Sequence, residues 1–180
     1  TLPIANGGTN STSTTFVNMT SNVTGTLPAA NGGTGATSFS PGKILQVVST
    51  LFAVDTSTSS ASLVATGHIA TLPSLASTSS KILILQSVSN CYVNATNHGM
   101  ELAYYASIDS GAYAQIGGKL MGILRKDVIT GGGTNNYLYS PSTTDSVSIQ
   151  VYYEATTTGT VYYGNGSLQA NNLTLMEIGA

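Results

Sequence analysis

The chain has 180 residues, 41 % of them hydrophobic, enough for a packed core and a composition that argues against wholesale disorder. Only five basic and seven acidic residues occur, a charged fraction of 7 %, against roughly 25 % in ordinary soluble domains. The net charge is −2, and among Lys43, Lys81, Lys119, Arg125 and Lys126 only one pair is adjacent, which excludes a phosphate-neutralising nucleic-acid surface and an electrostatic membrane patch.

No run of about 18 apolar residues is present, so no membrane insertion is expected. A surface this poor in charge must be hydrated by Ser, Thr, Asn and Gly or covered by other subunits. The composition therefore predicts a neutral, polar, oligomeric structural protein. Cys91 has no partner for an intrachain disulfide and reads as a small buried hydrophobe. The chain begins at Thr1 without Met or a signal peptide, and reads as a fragment of a longer polypeptide.

The first segment is a repeat. Residues 1–10 (TLPIANGGTN) and 26–35 (TLPAANGGTG) agree at eight of ten positions. Each copy joins a Pro-stiffened extended stretch to an Asn-Gly-Gly turn. Such a unit buries little by itself and becomes stable by stacking or winding with copies of itself. From Pro41 onward the texture changes. Strands are predicted at 43–54, 62–70, 81–93, 100–106, 112–125, 146–155, 160–164 and 171–178, all rich in Val, Ile, Leu, Thr and Tyr and bounded by Gly, Ser, Asn and Pro. A short helix competes only at 100–106, MELAYYA. Alternation is clearest in 146–153, where Val147, Ile149, Val151 and Tyr153 share a face. In 173–178, Leu173, Leu175 and Glu177 fall on one face and Thr174, Met176 and Ile178 on the other. A strand apolar on both sides suits a place between a core and a subunit interface. Seven to nine strands in this span predict a β-sandwich or jelly roll.

The string LPAANGGTGATS at 27–38 resembles the short repeat in the thin shafts of tailed-bacteriophage fibres. Asn10 stands where that repeat usually has Gly, a departure confined to one turn. PGKILQVVS at 41–49 and TGHIATLPSLASTSSKILILQS at 66–87 resemble the start of a C-terminal domain common in fibres of marine and cyanobacterial phages, and NNLTLMEIGA at 171–180 resembles its last strand. The resemblance implies an all-β protein with a thin repeat shaft (1–40) leading to a jelly-roll-like β-sandwich tip (41–180), assembled as a parallel homotrimer. It also implies a place on the virion's tail fibre, with other virion proteins joined through the N-terminal side. The function implied is host attachment, binding a bacterial surface glycan or outer-membrane protein. A head or tail connector without a receptor is the alternative, and a glycan-cleaving tailspike a more distant one.

Residues for catalysis are not evident, and no enzyme activity or cofactor is expected. Neither His68 nor His98 sits in a zinc-binding spacing, so a metal would need ligands gathered across chains. The bland reading of each is a hydrogen-bonded strand-end or loop residue. A GxSxG elbow is absent, and the carboxylates Glu101, Glu154, Glu177, Asp55, Asp109, Asp127 and Asp145 are scattered along the sequence. The glycines at 117–118 and 131–133 lack phosphate-loop spacing, and GGGTNN reads as a hairpin tip. Tyrosine stands out, with ten Tyr against three Phe and no Trp. The pairs Tyr104-Tyr105, Tyr152-Tyr153 and Tyr162-Tyr163 must each turn one ring away from the core, where it packs across strands or subunits or meets a sugar. The segment 131–142, GGGTNNYLYSPS, is predicted to be a recognition loop carrying Asn135, Asn136, Tyr137 and Tyr139. A second candidate loop carries Asn94, Asn97 and His98.

Overall fold

A computed structural model of the chain describes residues 43–94, 98–125, 131–157, 159–164 and 170–179. The repeat segment expected at 1–40 lies outside them. Ten strands run in order: β1 (Ile44–Phe52), β2 (Thr56–Thr58), β3 (Val64–Leu72), β4 (Lys81–Val93), β5 (His98–Ile108), β6 (Ala114–Arg125), β7 (Gly131–Tyr139), β8 (Val147–Ala155), β9 (Val161–Tyr163) and β10 (Asn171–Ile178). No helix occurs among the described residues, and the strands pair antiparallel throughout. The protein is all-β in its described part. The segment where a helix competed is strand β5, because Met100, Leu102, Tyr104 and Ala106 recur at every second residue and are all buried.

One sheet runs β1-β10-β4-β9-β2, with β7 on the free side of β4; the other runs β3-β8-β5-β6. Early and late strands lie side by side, β1 against β10 and β3 against β8, so the chain must cross repeatedly from one sheet to the other. The two inward faces share one cluster. Ile82, Ile84, Val88, Leu173 and Leu175 of the first sheet join Leu102, Ile116, Ile149, Val151 and Tyr153 of the second. Each fully buried Leu or Ile contributes about 1.5–3 kcal/mol, so this shared face is the main reason the sheets stay together.

A polar chain also bridges the layers. His68 Nε2 lies 3.2 Å from the Thr50 carbonyl, which can only accept, so Nε2 carries the proton. Nδ1 then accepts from the Tyr163 hydroxyl at 2.7 Å. Gln86 Nε2 donates to the Tyr163 oxygen at 3.0 Å, and Tyr104 donates to Gln86 Oε1 at 3.0 Å. Every group is satisfied in one direction of donation, and the chain crosses between the sheets three times. Phe52 stacks on the His68 ring with centroids 5.1 Å apart. His68 thus lies hydrogen-bonded in the middle of a strand, not at a strand end or in a loop. Cys91 is in the core as expected, 1 % exposed, and burial pushes its thiol up to about 12.

Candidate functional site

Most of the segment 131–142 is not a loop. Residues Gly131–Tyr139 form edge strand β7 along β4, Asn135 opposite Gln86, Tyr137 opposite Ile84 and Tyr139 opposite Ile82. Tyr137 and Tyr139 are half-buried and pack on the core. Asn135 shares their face and is also half-buried, its Nδ2 without a partner, while Asn136 alone of the four points outward and is exposed. The glycines are why the sequence misleads here. A Cβ on Gly132 would lie 2.6 Å from the Val88 carbonyl oxygen, so glycine lets the strand close on the irregular part of β4 between Val88 and Cys91. The Tyr137/Tyr139 spacing of two was the available signal for a strand.

Asn94 ends β4 in a bend and serves the fold. Its N–H donates to the Thr160 carbonyl at 3.2 Å, and its Oδ1 accepts from the Thr160 N–H at 3.1 Å. Asn97 lies outside the described residues. His98 opens β5 opposite Arg125, and its side chain lies outside the described part. Asn135 and Asn94 are not brought together, since eight residues of β4, about 25 Å at 3.3 Å each, separate Gln86, opposite Asn135, from Asn94.

The outer face of the β3-β8-β5-β6 sheet gathers something else. Register places Glu101 opposite Glu154, Ala103 opposite Tyr152 and Tyr105 opposite Gln150. The rings of Tyr105 and Tyr152 stack with centroids 3.8 Å apart and planes inclined by 21°. Two carboxylates directly across a strand pair would repel. Lys119 removes the conflict, with Nζ 2.7 Å from Glu101 and in contact with Glu154 as well. A break in register aims it there: Gly117, Gly118, Lys119 and Leu120 of β6 stand opposite the single Ala103 of β5. Side-chain exposure is 7 % for Glu154, 32 % for Glu101 and 46 % for Lys119, so the triad has a buried root and an open rim.

Two acidic groups that are scattered in sequence are therefore paired in space. The sequence carried a mirrored signal, Glu101 four residues before Tyr105 and Glu154 two residues after Tyr152, but only antiparallel pairing makes it legible. The Lys119 hydrogen bond holds the Glu101 carboxyl below its usual range against a smaller upward push from burial. That direction is opposite to the raised value a general acid needs. Lys119 is shifted up by its bonds to Glu101 and Glu154.

The paired tyrosines divide as the sequence predicts. Tyr104, Tyr153 and Tyr163 are buried while Tyr105, Tyr152 and Tyr162 face outward, half-exposed. Tyr162 packs beside Tyr92 on the other sheet, centroids 5.4 Å apart. No group of three His, Cys, Asp or Glu able to hold a metal occurs among the described residues.

No protein-family model matches the chain, and no curated protein matches it in sequence.

Proposed function

We propose that this chain is the distal part of a bacteriophage fibre, a jelly-roll tip on a repeat shaft that works as a homotrimeric adhesin. The ordered set of sequence motifs supports the family reading. What the fold adds is the contrast between its two outer faces. Across the first sheet, Val47 neighbours Met176, Met176 neighbours Leu83 and Leu83 neighbours Leu138, a continuous apolar row over four strands. Val47 is 52 % exposed and Leu138 49 % exposed, and Leu51, in phase with Val47, reaches 71 %. That row fits burial against further copies of the same chain, as the outward apolar residues of β10 already suggested. It is the single observation that carries the assembly part of the reading.

Adhesion would then be multivalent. Three weak sites engaging one repetitive surface multiply through effective concentration. Light scattering after size exclusion is expected to give three times the 18.3 kDa chain mass, and the purified protein to compete with its parent virion for host cells. A monomer at micromolar concentration would overturn the assembly. A trimer unable to compete would favour the connector reading, in which the same tip serves without a receptor.

A further inference from the structure

The geometry points to a saccharide-binding platform on the outer face of the β3-β8-β5-β6 sheet, built on the Tyr105–Tyr152 stack and the Glu101–Lys119–Glu154 triad. The inference rests on the adhesin reading and names the face and ligand class that reading lacks. It moves recognition away from β7, whose rings are turned inward.

Three features fit a sugar ring. First, the stack offers an apolar aromatic face with hydroxyl tips, the amphipathic surface that suits C–H groups on one side and hydroxyls on the other. Opposite Tyr152 on β3 stands the exposed Ala65, a methyl group that leaves the ring open on that side. Opposite Tyr105 on β6 stands Gln115, exposed and able to donate and accept. Second, Glu154 is two residues from Tyr152 on the same face, about 7 Å along the strand. A pyranose lying on the Tyr152 ring therefore has its hydroxyls within reach of the triad. Carboxylate oxygens accept from a vicinal diol, and the Lys119 ammonium donates, giving charge-assisted bonds stronger than neutral ones. Third, the rim is preorganised. Lys119 is already shared between the two carboxylates, so neither long side chain needs ordering afresh on binding.

The charge of the triad sets the class. Two carboxylates and one ammonium leave a local charge of −1, and among the described residues no other basic side chain is paired with them. An acidic sugar is repelled, whereas a neutral hexose or N-acetylhexosamine unit is accepted.

Tyrosine fluorescence, with saturation-transfer NMR as a second readout, tests this on the full chain. The probes are glucose, galactose, mannose, N-acetylglucosamine and glucuronate, each titrated past about 10 mM because a single shallow site is expected to bind in the millimolar range. At least one neutral sugar is expected to bind, and to bind at least about tenfold more tightly than glucuronate. Tyr152→Ala and Lys119→Ala are each expected to raise Kd at least about tenfold, while Tyr152→Phe retains most of the affinity and Tyr92→Ala, on the other sheet, leaves it unchanged. Lys119→Ala keeps the test valid if Tyr152→Ala fails to fold, and undiminished binding by it would likewise overturn the platform. Absence of binding by every neutral sugar, equal binding of glucuronate, or undiminished binding by Tyr152→Ala would each overturn the platform. The two readings fail separately. Wild-type protein that competes with the virion while Tyr152→Ala competes equally well removes this site and leaves the adhesin. Protein that binds sugar but never competes leaves the site and removes the adhesin.

Discussion

His68 shows how much one buried side chain commits this fold to a single protonation state. Burial pulls its imidazole below 6.5, and the bond to the Thr50 carbonyl only partly offsets that. Between the folded value and 6.5 the unfolded chain binds the extra proton, so stability rises with pH across that window. The contribution of neutral His68 is complete above about pH 6.5 and drains as pH falls below it. Protonation also removes the Nδ1 acceptor that Tyr163 uses. Melting temperature is therefore expected to drop between pH 7.5 and 5.5, with the slope flattened in His68→Gln; an unchanged slope in that variant would show that another group is responsible. Lowered carboxylates such as Glu101 act only further down, below about 4.5. A second residue-scale prediction concerns Gly117, which has φ +70° and would place a Cβ 2.9 Å from the Tyr137 ring. Gly117→Ala is expected to destabilise by about 1–3 kcal/mol, read as a lower urea midpoint with an unchanged m-value.

At the scale of elements, β7 is where turn-like composition and strand structure diverge. Its Gly-Gly-Gly opening and two Asn residues are turn chemistry by local rules, yet β4 supplies hydrogen-bond partners along its length. The consequence is a reversed expectation for its tyrosines. Tyr137→Ala with Tyr139→Ala removes two rings packed on the core, and is expected to cost more than about 2 kcal/mol in urea unfolding. Sugar binding by the molecules that remain folded should be unaffected. A loop tip would give the opposite pair of results. β10 behaved as its pattern implied: Leu173, Leu175 and Glu177 turn inward and Thr174, Met176 and Ile178 outward. Glu177 is tolerated inside because the upward push of burial on its carboxyl is outweighed by the Ala76 N–H and the Gln46 amide, each 2.7 Å away.

For the whole molecule, the difference between the faces is the property with most consequence. The first sheet shows the row of Val47, Met176, Leu83 and Leu138 outward, whereas the second shows mainly Tyr, Gln, Ser, Thr and one ion triad, with Ile69 of β3 as an exposed aliphatic side chain. If the aliphatic face joins the copies, Val47→Lys with Leu138→Lys is expected to shift the light-scattering mass to that of one chain while far-UV dichroism stays β. Wild-type assembly should also resist high salt, because apolar contact is not screened. A double variant that remains trimeric would move the interface elsewhere.

The sequence alone determined that the described part is all-β, where most strands lie, and that each tyrosine pair turns one ring away from the core. These are properties of period-two patterning, and each strand displays its own period locally. It also settled the fate of Cys91, because a thiol within an apolar run has nowhere better to go than the core. Only the tertiary structure decided that β7 is a strand, that Glu101 and Glu154 face each other, and that Lys119 reaches both. Strand partners such as β5 and β8 lie about fifty residues apart in the chain, and pairing between them is chosen by the global burial of two sheet faces. No local pattern encodes that choice. The candidate recognition surface is made of just such long-range neighbours, and the fold had to bring them together before their chemistry could be read.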